Sequence, residues 1–547
     1  MHDRRLSVAE PPFSKIILWY VALYFIASLG MHFAFFPIGD IGVESDFYGE
    51  LVIAAKALQH HDFSVTSYPV KGPFYSLALI AVRFFLRDWY LSGVVLSALC
   101  AVASLLVAFR LLSRLFGRSV AFLATIAMSL ASDYFALAHK ASSDMLFLVL
   151  CLLSIDLLLT ERFVSWRFIL AGVLGTCAFL TRYIGVFLPF AAVLAAVVNP
   201  WRGSRGRAAA VSLLYVGAFL ASCAPWFILS FRETGSVLYT GSAKIVAAEM
   251  YQFHTASGMP EGGFDSILDL LAHAPGSFAA RYVQNVPVHL WLDMYKYLGG
   301  GAGILFLLGV ARLFFAPPTR MQWAFLLSFA LYFLACCAVF YLARYSLLLS
   351  TAYFALASSF VINLADAPRF LSRVVRSSRR GKREARSDGR SVRAAEKGRG
   401  GAPGGHPSRV RIVTAVIVCV VLLLEVAAIV ASESFYYKQR PLYLLDAARF
   451  LKGYVEQGHG SRQDVVMARK PHVAYYADLA YQQYPLSFSL PRGIIAYARS
   501  RGIGYLVCSS VEMRYFGNEE GWRQLGTMDG VSTIYSADST TIYRVDR

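Results

Sequence analysis

Charged residues are scarce in this chain of 547 residues: Asp, Glu, Lys and Arg make up 16% of it, and hydrophobic residues make up 57%. A soluble globular protein carries about 25% charged residues, so the composition argues against a purely soluble protein. A disordered chain is also excluded, because 40 Phe, 31 Tyr and 8 Trp supply far more apolar surface than disordered segments contain. The apolar residues form long runs, which indicates a polytopic membrane protein.

Cysteine is sparse as well, with eight residues in the chain, seven of them inside apolar runs. There is no CxxC pair, and the spacing predicts neither a disulfide framework nor a cysteine-based metal site. The first fifteen residues are charged, and the apolar run after them lacks a convincing small-residue cleavage site. We therefore interpret that run as a membrane anchor rather than a removed signal peptide.

Eleven apolar runs are candidates to cross the roughly 30 Å of a bilayer core, which takes about 20 helical residues. They are 16–36, 91–113, 119–137, 144–160, 168–182, 183–199, 208–230, 298–315, 321–341, 345–365 and 411–432. Lys15 precedes the first run. The connections after the second, fourth, sixth, eighth and tenth runs all contain arginines. By the positive-inside rule, this pattern predicts a cytoplasmic N-terminus and a non-cytoplasmic position for 37–90, 231–297 and 433–547.

Most of the net charge of +18 lies in one linker, since residues 366–411 contain fourteen Lys or Arg against four Asp or Glu. A solvated cytoplasmic loop explains this charge without any nucleic acid, and contact with anionic lipid headgroups is an open alternative. We predict a disordered basic linker over 366–410. It would separate a transmembrane catalytic module, 1–365, from the last transmembrane helix, 411–432.

The C-terminal segment, 433–547, has an ordinary soluble composition. Strands alternate with helices in its pattern, which predicts a small α/β domain outside the cytoplasm. The predicted strands are 464–468, 504–508, 531–535 and 540–545, and the predicted helices are 473–481 and 493–501. The segment has no Gly-rich phosphate loop and no catalytic motif, so we expect it to pack or to dock an acceptor.

Two carboxylates, Glu44 and Asp46, follow the first span. A carboxylate at the bilayer surface can serve as a general base or bind a divalent cation, and a solvated loop pair is the plain alternative. Lys71 follows in a turn set by proline and glycine. Its compact charge suits a phosphate, although a lysine that snorkels to the interface explains it equally well.

More polar residues recur where later spans end on the same side. His139, Lys140 and Asp144 lie between the third and fourth runs. Asp144 taken alone is best explained as a helix cap. Arg182 falls inside a long apolar stretch, where an arginine at mid-bilayer would cost about 2.5–3.5 kcal/mol. Dividing the stretch into two spans places Arg182 at the outer surface, and Arg344 repeats the arrangement.

These cations and carboxylates share one face of the membrane. An anionic ligand held beside a catalytic carboxylate would explain both signs of charge. A lipid-linked phosphate is the natural candidate, because its chain stays in the bilayer while Arg and Lys bind its headgroup.

The motifs resemble those of GT-C superfamily glycosyltransferases, in the family 39-like branch of protein O-mannosyltransferases and the lipid A aminoarabinose transferase. The resemblance covers most of 15–365 and depends on the order and membrane side of short motifs. These are Glu44-Ser45-Asp46 with Tyr48, Lys71-Gly72-Pro73-Phe74-Tyr75, Lys140 to Asp144, Leu180-Thr181-Arg182-Tyr183 and Arg344-Tyr345.

The resemblance implies a GT-C-like helical fold that transfers a hexose or pentose from a polyprenyl-phosphate donor. The acceptor would be a glycan, lipid or protein at the outer face of the inner membrane. It further implies roles for individual residues. Asp46 would be the base with Glu44 as helper, Lys71, Arg182, Arg344, His139 and Lys140 would bind the donor phosphate, and Asp144, Tyr48 and Tyr345 would support them.

Two departures from the family pattern leave open which carboxylate is the base. Gly72 replaces the first proline of the family's Lys-Pro-Pro-Leu-Tyr, and Glu-Ser-Asp replaces an adjacent Asp-Glu pair. The family divides on metal use, and only Glu249 and His254 are faint candidates for a metal site. We therefore expect no obligatory metal or other cofactor.

A transporter of an anionic solute or lipid-linked sugar is the main alternative function. Transporters place their charges near the membrane midplane and often contain internal repeats, whereas these charges gather at one surface and no repeat is visible. A membrane scaffold whose C-terminal domain binds a partner is a third interpretation. The sequence favours glycosyl transfer.

Overall fold

The computed structural model describes residues 13–198, 205–237, 239–251, 264, 267–364, 407–485, 491–510, 512–513, 519–537 and 539–546. The predicted basic linker, 366–410, lies outside the described residues except for its last four positions. His254 lies outside them as well.

Helices account for most of the chain, and each of the eleven apolar runs overlaps at least one of them. The helices of the membrane module are α1 (Phe13–Phe35), α2 (Glu44–Asp46), α3 (Val52–Gln59), α4 (Phe74–Leu86), α5 (Trp89–Phe116), α6 (Arg118–Ser129), α7 (Ser132–Ala138), α8 (Asp144–Leu158), α9 (Ser165–Thr181), α10 (Phe187–Val198), α11 (Arg205–Thr234), α12 (Ser242–Met250), α13 (Ile267–His273), α14 (Pro275–Leu292), α15 (Gly301–Leu313), α16 (Arg320–Cys336), α17 (Ser350–Ile362) and α18 (Pro407–Lys438). The prediction of a polytopic α-helical membrane protein is confirmed.

Length and composition identify four described helices that can cross a membrane: α1, α5, α11 and α18. The pair α6 and α7 would make a fifth, although it bends by 69° at its break. The predicted single run 119–137 is therefore broken, because Ala131 adopts an extended conformation between the two helices. Other apolar helices are shorter, with 10–17 residues, so the count of eleven spans stays a prediction.

Helix α8 lies at the centre of the module, and nearly all of its side chains are buried. Its two aspartates lie at opposite ends. Asp156 pairs with Arg114 and lies 3.4 Å from Arg110, near one end of α5. Asp144 pairs with Arg182 at the other end. Twelve helical residues span about 18 Å, so the two arginine clusters mark opposite ends of the bundle.

The C-terminal domain contains the helices α19 (Leu442–Tyr454), α20 (His472–Ala477), α21 (Pro491–Ser500) and α22 (Glu519–Gln524), and the strands β1 (Val465–Ala468), β2 (Ala480–Gln483), β3 (Ile503–Ser509), β4 (Val531–Ala537) and β5 (Thr540–Val545). The five strands form one sheet in the order β2-β1-β3-β5-β4. β1 pairs in parallel with β2 and β3, and β5 pairs antiparallel with β3 and β4. This mixed sheet fits the predicted α/β domain.

One predicted element of this domain is wrong. The helix expected over 473–481 ends at Ala477, and Ala480–Gln483 forms the edge strand β2. Asp478 adopts a left-handed conformation with φ of 56°, which ends the helix and reverses the chain. The apolar residues of 473–481 fit a helix as well as a strand. An edge strand buries few side chains, so its sequence lacks the apolar-polar alternation that would distinguish it from a helix.

Gly72 lets two segments of the module touch along their backbones. A Cβ atom at this position would lie 2.7 Å from the Cα of Leu180, and fixed backbone atoms cannot move aside as a flexible side chain would. Glycine is thus required where the turn that carries Lys71 meets the end of α9.

We expect Gly72→Ala to lower the free energy of unfolding by about 1–3 kcal/mol, the usual cost of overpacking. The measurement is the thermal unfolding midpoint of the purified full chain in detergent. Gly217→Ala is the matched control, since nothing lies within 4 Å of its Cβ position and alanine is the better helix former. Equal midpoints for the two variants would contradict the close backbone contact.

Candidate active site

Asp46 shares one carboxylate oxygen between two cations that come from distant parts of the chain. Its Oδ2 atom lies 3.1 Å from Lys71 Nζ and 3.1 Å from Arg344 Nη1. Burial raises the pKa of Asp46, but the positive charges of Lys71, Arg344 and Arg182 outweigh it and lower the pKa to about 2. The Asp46 side chain is 33% exposed, so an ionised carboxylate is open to solvent on one side.

Lys71 is held between two carboxylates. Its Nζ atom lies 3.1 Å from Glu50 Oε2 as well as 3.1 Å from Asp46, and its side chain is 8% exposed. Glu50 belongs to the π-helical segment Phe47–Leu51 that continues α2. The sequence analysis did not single out Glu50, although its place four residues after Asp46 is one helical turn along.

Arg182 and Arg344 approach each other over one aromatic ring. Arg182 follows α9 in an extended conformation and pairs with Asp144. The Tyr345 ring centroid lies 5.5 Å from Arg182 Cζ and 5.7 Å from Arg344 Cζ. Burial lowers the pKa of Arg344, but Asp144 and Asp46 outweigh burial and raise it above its ordinary value. The Arg344 guanidinium is therefore charged.

These three cations meet at a cavity of about 320 Å³. Its polar lining consists mainly of Lys71, Asp144, Arg182 and Arg344, and the other walls are largely apolar or aromatic. The apolar and aromatic lining residues include Phe147, Leu148, Ile184, Val246, Tyr332, Val339, Tyr345 and Leu348. A cavity with cations at one end and apolar walls suits an amphipathic anion, whose headgroup the cations bind and whose tail the walls cover.

Glu44 does not join Asp46 beside the cavity cations, contrary to the expected helper role. Its Oε1 accepts a hydrogen bond from the Ala141 N–H at 2.8 Å, and its Oε2 accepts one from the Asp40 N–H at 2.9 Å. Burial and the negative charge of Asp40 raise the pKa of Glu44, Lys140 opposes both, and the net result is a pKa of about 7. Through its hydrogen bond with Ala141, Glu44 links the first outer loop to the loop before α8.

Lys140 and His139 also lie away from the cavity, which corrects their expected role in donor binding. Lys140 Nζ is 2.8 Å from Asp40 Oδ2 and 3.9 Å from the centroid of the Tyr436 ring. His139 Nε2 is 3.4 Å from Glu433. Both side chains are buried beneath the end of α18, so they stabilise the outer loop and have no access to a ligand in the cavity.

Tyr48 supports the loop from the side of the C-terminal domain. Its hydroxyl lies 2.9 Å from that of Tyr476, and its ring packs against those of His472 and Tyr475 at 4.8 Å and 4.6 Å between centroids. Sequence reasoning missed Lys470 here, whose ammonium donates a hydrogen bond to Ser45 Oγ at 3.1 Å. In the sequence, Lys470 stands out only as part of the basic pair Arg469-Lys470 before Pro471. This pattern does not indicate that Lys470 lies near Asp46.

Of the two faint metal candidates, Glu249 is paired with protein side chains, and His254 lies outside the described residues. Glu249 Oε1 lies 2.9 Å from Arg281 Nη2 and accepts a hydrogen bond from Asn285 at 3.2 Å. Across the described ranges, no cluster of three or more His, Cys, Asp or Glu has the geometry to hold a metal ion.

Comparison with known proteins identifies relatives of this fold. The family model described as dolichyl-phosphate-mannose-protein mannosyltransferase matches residues 72–229. ArnT from Cupriavidus metallidurans, solved with bound undecaprenyl phosphate, is 13% identical, with 98% of each chain covered and a TM-score of 0.53. No curated protein matches the sequence.

A second solved structure has a similar overall arrangement. Archaeal oligosaccharyltransferase AglB from Archaeoglobus fulgidus, in complex with an inhibitory peptide and a dolichol-phosphate, is 13% identical with a TM-score of 0.56. The match covers 98% of this chain and 75% of AglB. At such low identities the likeness is one of fold.

We expect Glu44 to make stability depend on pH. Its pKa rises from an ordinary 4.5 to about 7 in the folded state. The folded chain thus holds this proton more tightly, and the resulting stability is complete below pH 4.5 and lost as the pH rises through about 7. Glu44→Gln removes the titrating group, so the stability of the variant relative to the wild type should rise by up to about 3 kcal/mol between mildly acidic and mildly alkaline pH.

The measurement is the unfolding midpoint of both proteins across that pH range. Replacement of the exposed Glu456 by Gln is the control. A constant difference between wild type and Glu44→Gln at all pH values would contradict the raised pKa.

Proposed function

We propose that this chain, which has the fold of the GT-C superfamily of membrane glycosyltransferases, transfers a sugar from a polyprenyl-phosphate donor to an acceptor outside the cytoplasm. The observation that carries the proposal is the pairing of Asp46 with Lys71 and Arg344 at the edge of an apolar cavity. Lipid phosphates bound in two structures of this fold support the choice of ligand.

The cations of the cavity would bind the donor phosphate. Lys71, Arg182 and Arg344 all line the cavity, and its apolar walls would cover the first part of the isoprenoid chain. Arg344 Nε is buried and has no hydrogen-bond partner in the described part of the chain. It is therefore an unused donor that a phosphate oxygen can satisfy.

Asp46 would act as the general base in a single displacement with inversion. The acceptor hydroxyl or amide attacks the anomeric carbon, its proton passes to the Asp46 carboxylate, and the bond from the anomeric carbon to the phosphate oxygen breaks. The polyprenyl phosphate leaves with that electron pair, and the cations stabilise the charge that develops on it.

The low pKa of Asp46 fits this role once the donor is considered. With a pKa of about 2, the carboxylate is ionised but weakly basic, because Lys71 and Arg344 hold its negative charge. A bound phosphate would compete for the same two cations. Their hold on Asp46 would weaken, and its basicity would rise when the substrate is in place.

The proposal assigns no obligatory metal. The Lys71 ammonium lies between Asp46 and Glu50, where a divalent cation would otherwise bridge two carboxylates. The proposal assigns the chain to the inner membrane, and the positive-inside pattern supports a cytoplasmic N-terminus and a C-terminal domain outside the cytoplasm. The sugar and the acceptor, whether glycan, lipid or protein, are not assigned.

We expect Asp46→Asn to reduce sugar transfer by about 10²–10⁴-fold, the usual contribution of general-base catalysis. The assay follows transfer of radiolabelled sugar from a polyprenyl-phosphate donor in isolated membranes, with membrane insertion checked in parallel. Glu50→Gln is the matched control, because Glu50 contacts Lys71 at the same 3.1 Å. Equal losses in the two variants would mean that Asp46 only pairs with Lys71.

Wild-type membranes distinguish the proposal from its alternative. Transfer of sugar without uptake of solute into vesicles supports a glycosyltransferase, and uptake without transfer would support a transporter.

We expect Arg344→Ala to weaken binding of undecaprenyl phosphate by about tenfold or more, because a hydrogen bond to a charged group contributes about 1.5–3 kcal/mol. Binding is measured by titration of the purified chain in detergent. Arg281→Ala is the control, since Arg281 pairs with Glu249 away from the cavity lining. Unchanged affinity in Arg344→Ala would refute the phosphate assignment.

A further inference from the structure

Lys470 brings a fourth positive charge to the Asp46 region, and it comes from the C-terminal domain. It lies between β1 and α20, and its ammonium donates to Ser45 Oγ at 3.1 Å. Ser45 is the immediate neighbour of Asp46 in α2. Two contacts of the same domain hold this arrangement: His472 Nε2 lies 3.1 Å from the Asp40 carbonyl oxygen, and the Tyr476 hydroxyl lies 2.9 Å from that of Tyr48.

The charge of Lys470 is less well compensated than that of the other buried lysines near the site. Lys71 and Lys140 each have a carboxylate within 3.1 Å and 2.8 Å. Within the described part of the chain, the side-chain hydrogen-bond partner of the Lys470 ammonium is the neutral Ser45 hydroxyl. Burial lowers the pKa of Lys470 and the neighbouring Arg469 lowers it further, while the more distant charges of Asp46, Asp40 and Glu512 oppose this shift without reversing it. None of the ion pairs among the described residues includes this half-buried ammonium. An ammonium removed from water without a directly paired carboxylate is costly, which points to an anionic ligand.

The position of Lys470 relative to the cavity identifies which substrate it would meet. Lys71, Arg182 and Arg344 line the cavity, whereas Ser45 and Asp46 do not. In an inverting displacement the nucleophile and the leaving phosphate lie on opposite sides of the anomeric carbon. With the phosphate in the cavity, the acceptor approaches Asp46 from its exposed side, next to Ser45 and Lys470.

We propose that Lys470 is an acceptor-binding residue, supplied by the C-terminal domain, and that it binds an anionic group of the acceptor, either a phosphate or a carboxylate. The inference rests on the proposed function, because the direction of acceptor approach follows from the position of the donor phosphate. It gives the C-terminal domain a direct part in substrate recognition.

Anion binding at Lys470 is testable without any turnover. The full-length protein in detergent is saturated with undecaprenyl phosphate, which fills the proposed donor site, and its lysines are reductively methylated and quantified by mass spectrometry. Inorganic phosphate and acetate are the two probes, with chloride at matched ionic strength as reference. Lys56 is the internal control, because it is exposed and lies 3.8 Å from Asp478 across the same domain contact.

Slower methylation of Lys470 in phosphate or in acetate, with Lys56 unchanged, supports the proposal. The more protective anion identifies the acceptor group as a phosphate or a carboxylate. Equal methylation of Lys470 in all three salts would overturn the proposal, whatever the enzymatic activity of the chain.

Turnover provides the second test, through the ratio of transfer to hydrolysis. Donor hydrolysis uses water as acceptor and does not need an acceptor-binding residue. In Lys470→Gln, transfer to endogenous membrane acceptors should fall about tenfold more than hydrolysis, the effect of losing one charge-assisted hydrogen bond. Lys470→Arg should recover most of the transfer, and Lys56→Gln should match the wild type.

The failures of the two proposals are distinguishable. Equal losses of transfer and hydrolysis in Lys470→Gln would mean that Lys470 only positions Asp46, and this would overturn acceptor binding. A wild-type protein that neither transfers nor hydrolyses the donor would instead refute the proposed function, while the methylation experiment would still decide whether Lys470 binds an anion.

Discussion

The ion pairing of Asp46 with Lys71 and Arg344 is the interaction on which the rest of the site depends. Three cations, Lys71, Arg182 and Arg344, line one cavity, where their like charges repel. Asp46, Glu50 and Asp144 compensate them, and each carboxylate comes from a different segment than the cation it contacts. The pairs therefore also join the first outer loop, the start of α8, the end of α9 and the turn before α17.

The first outer loop contains a second carboxylate, Glu44, whose role is structural. Glu44 and Asp46 are two residues apart in α2, so their side chains point in directions about 160° apart around the helix. Asp46 faces the cavity cations, and Glu44 faces the backbone amides of Ala141 and Asp40. Beneath it, Asp40 pairs with Lys140. One carboxylate is partly open to solvent, and the other fixes the loop that carries it.

The C-terminal domain belongs to the site rather than being appended to it. Its helix α20 packs against the segment from Gly39 to Lys56, and Tyr48 is enclosed by His472, Tyr475 and Tyr476. The domain thus buries Tyr48 in the same loop that carries Asp46. Mixed sheets of this size are common in soluble domains, so the sheet itself indicates no activity. The part of the domain that bears on the site is the surface of α20 that contacts the first outer loop.

The amino-acid sequence alone determined the membrane class, the helical fold, the α/β character of the C-terminal domain and the grouping of Asp46, Lys71, Arg182 and Arg344 at one end of the bundle. Hydrophobic run length and the side of each charge carry that information, since both follow from the cost of placing charge in a bilayer. Only the tertiary structure separated His139, Lys140 and Glu44 from the cavity and brought Lys470 to Ser45. These side-chain contacts depend on the rotation of each helix about its own axis and on how the C-terminal domain docks on the membrane module. The local hydrophobic pattern of the sequence does not determine either.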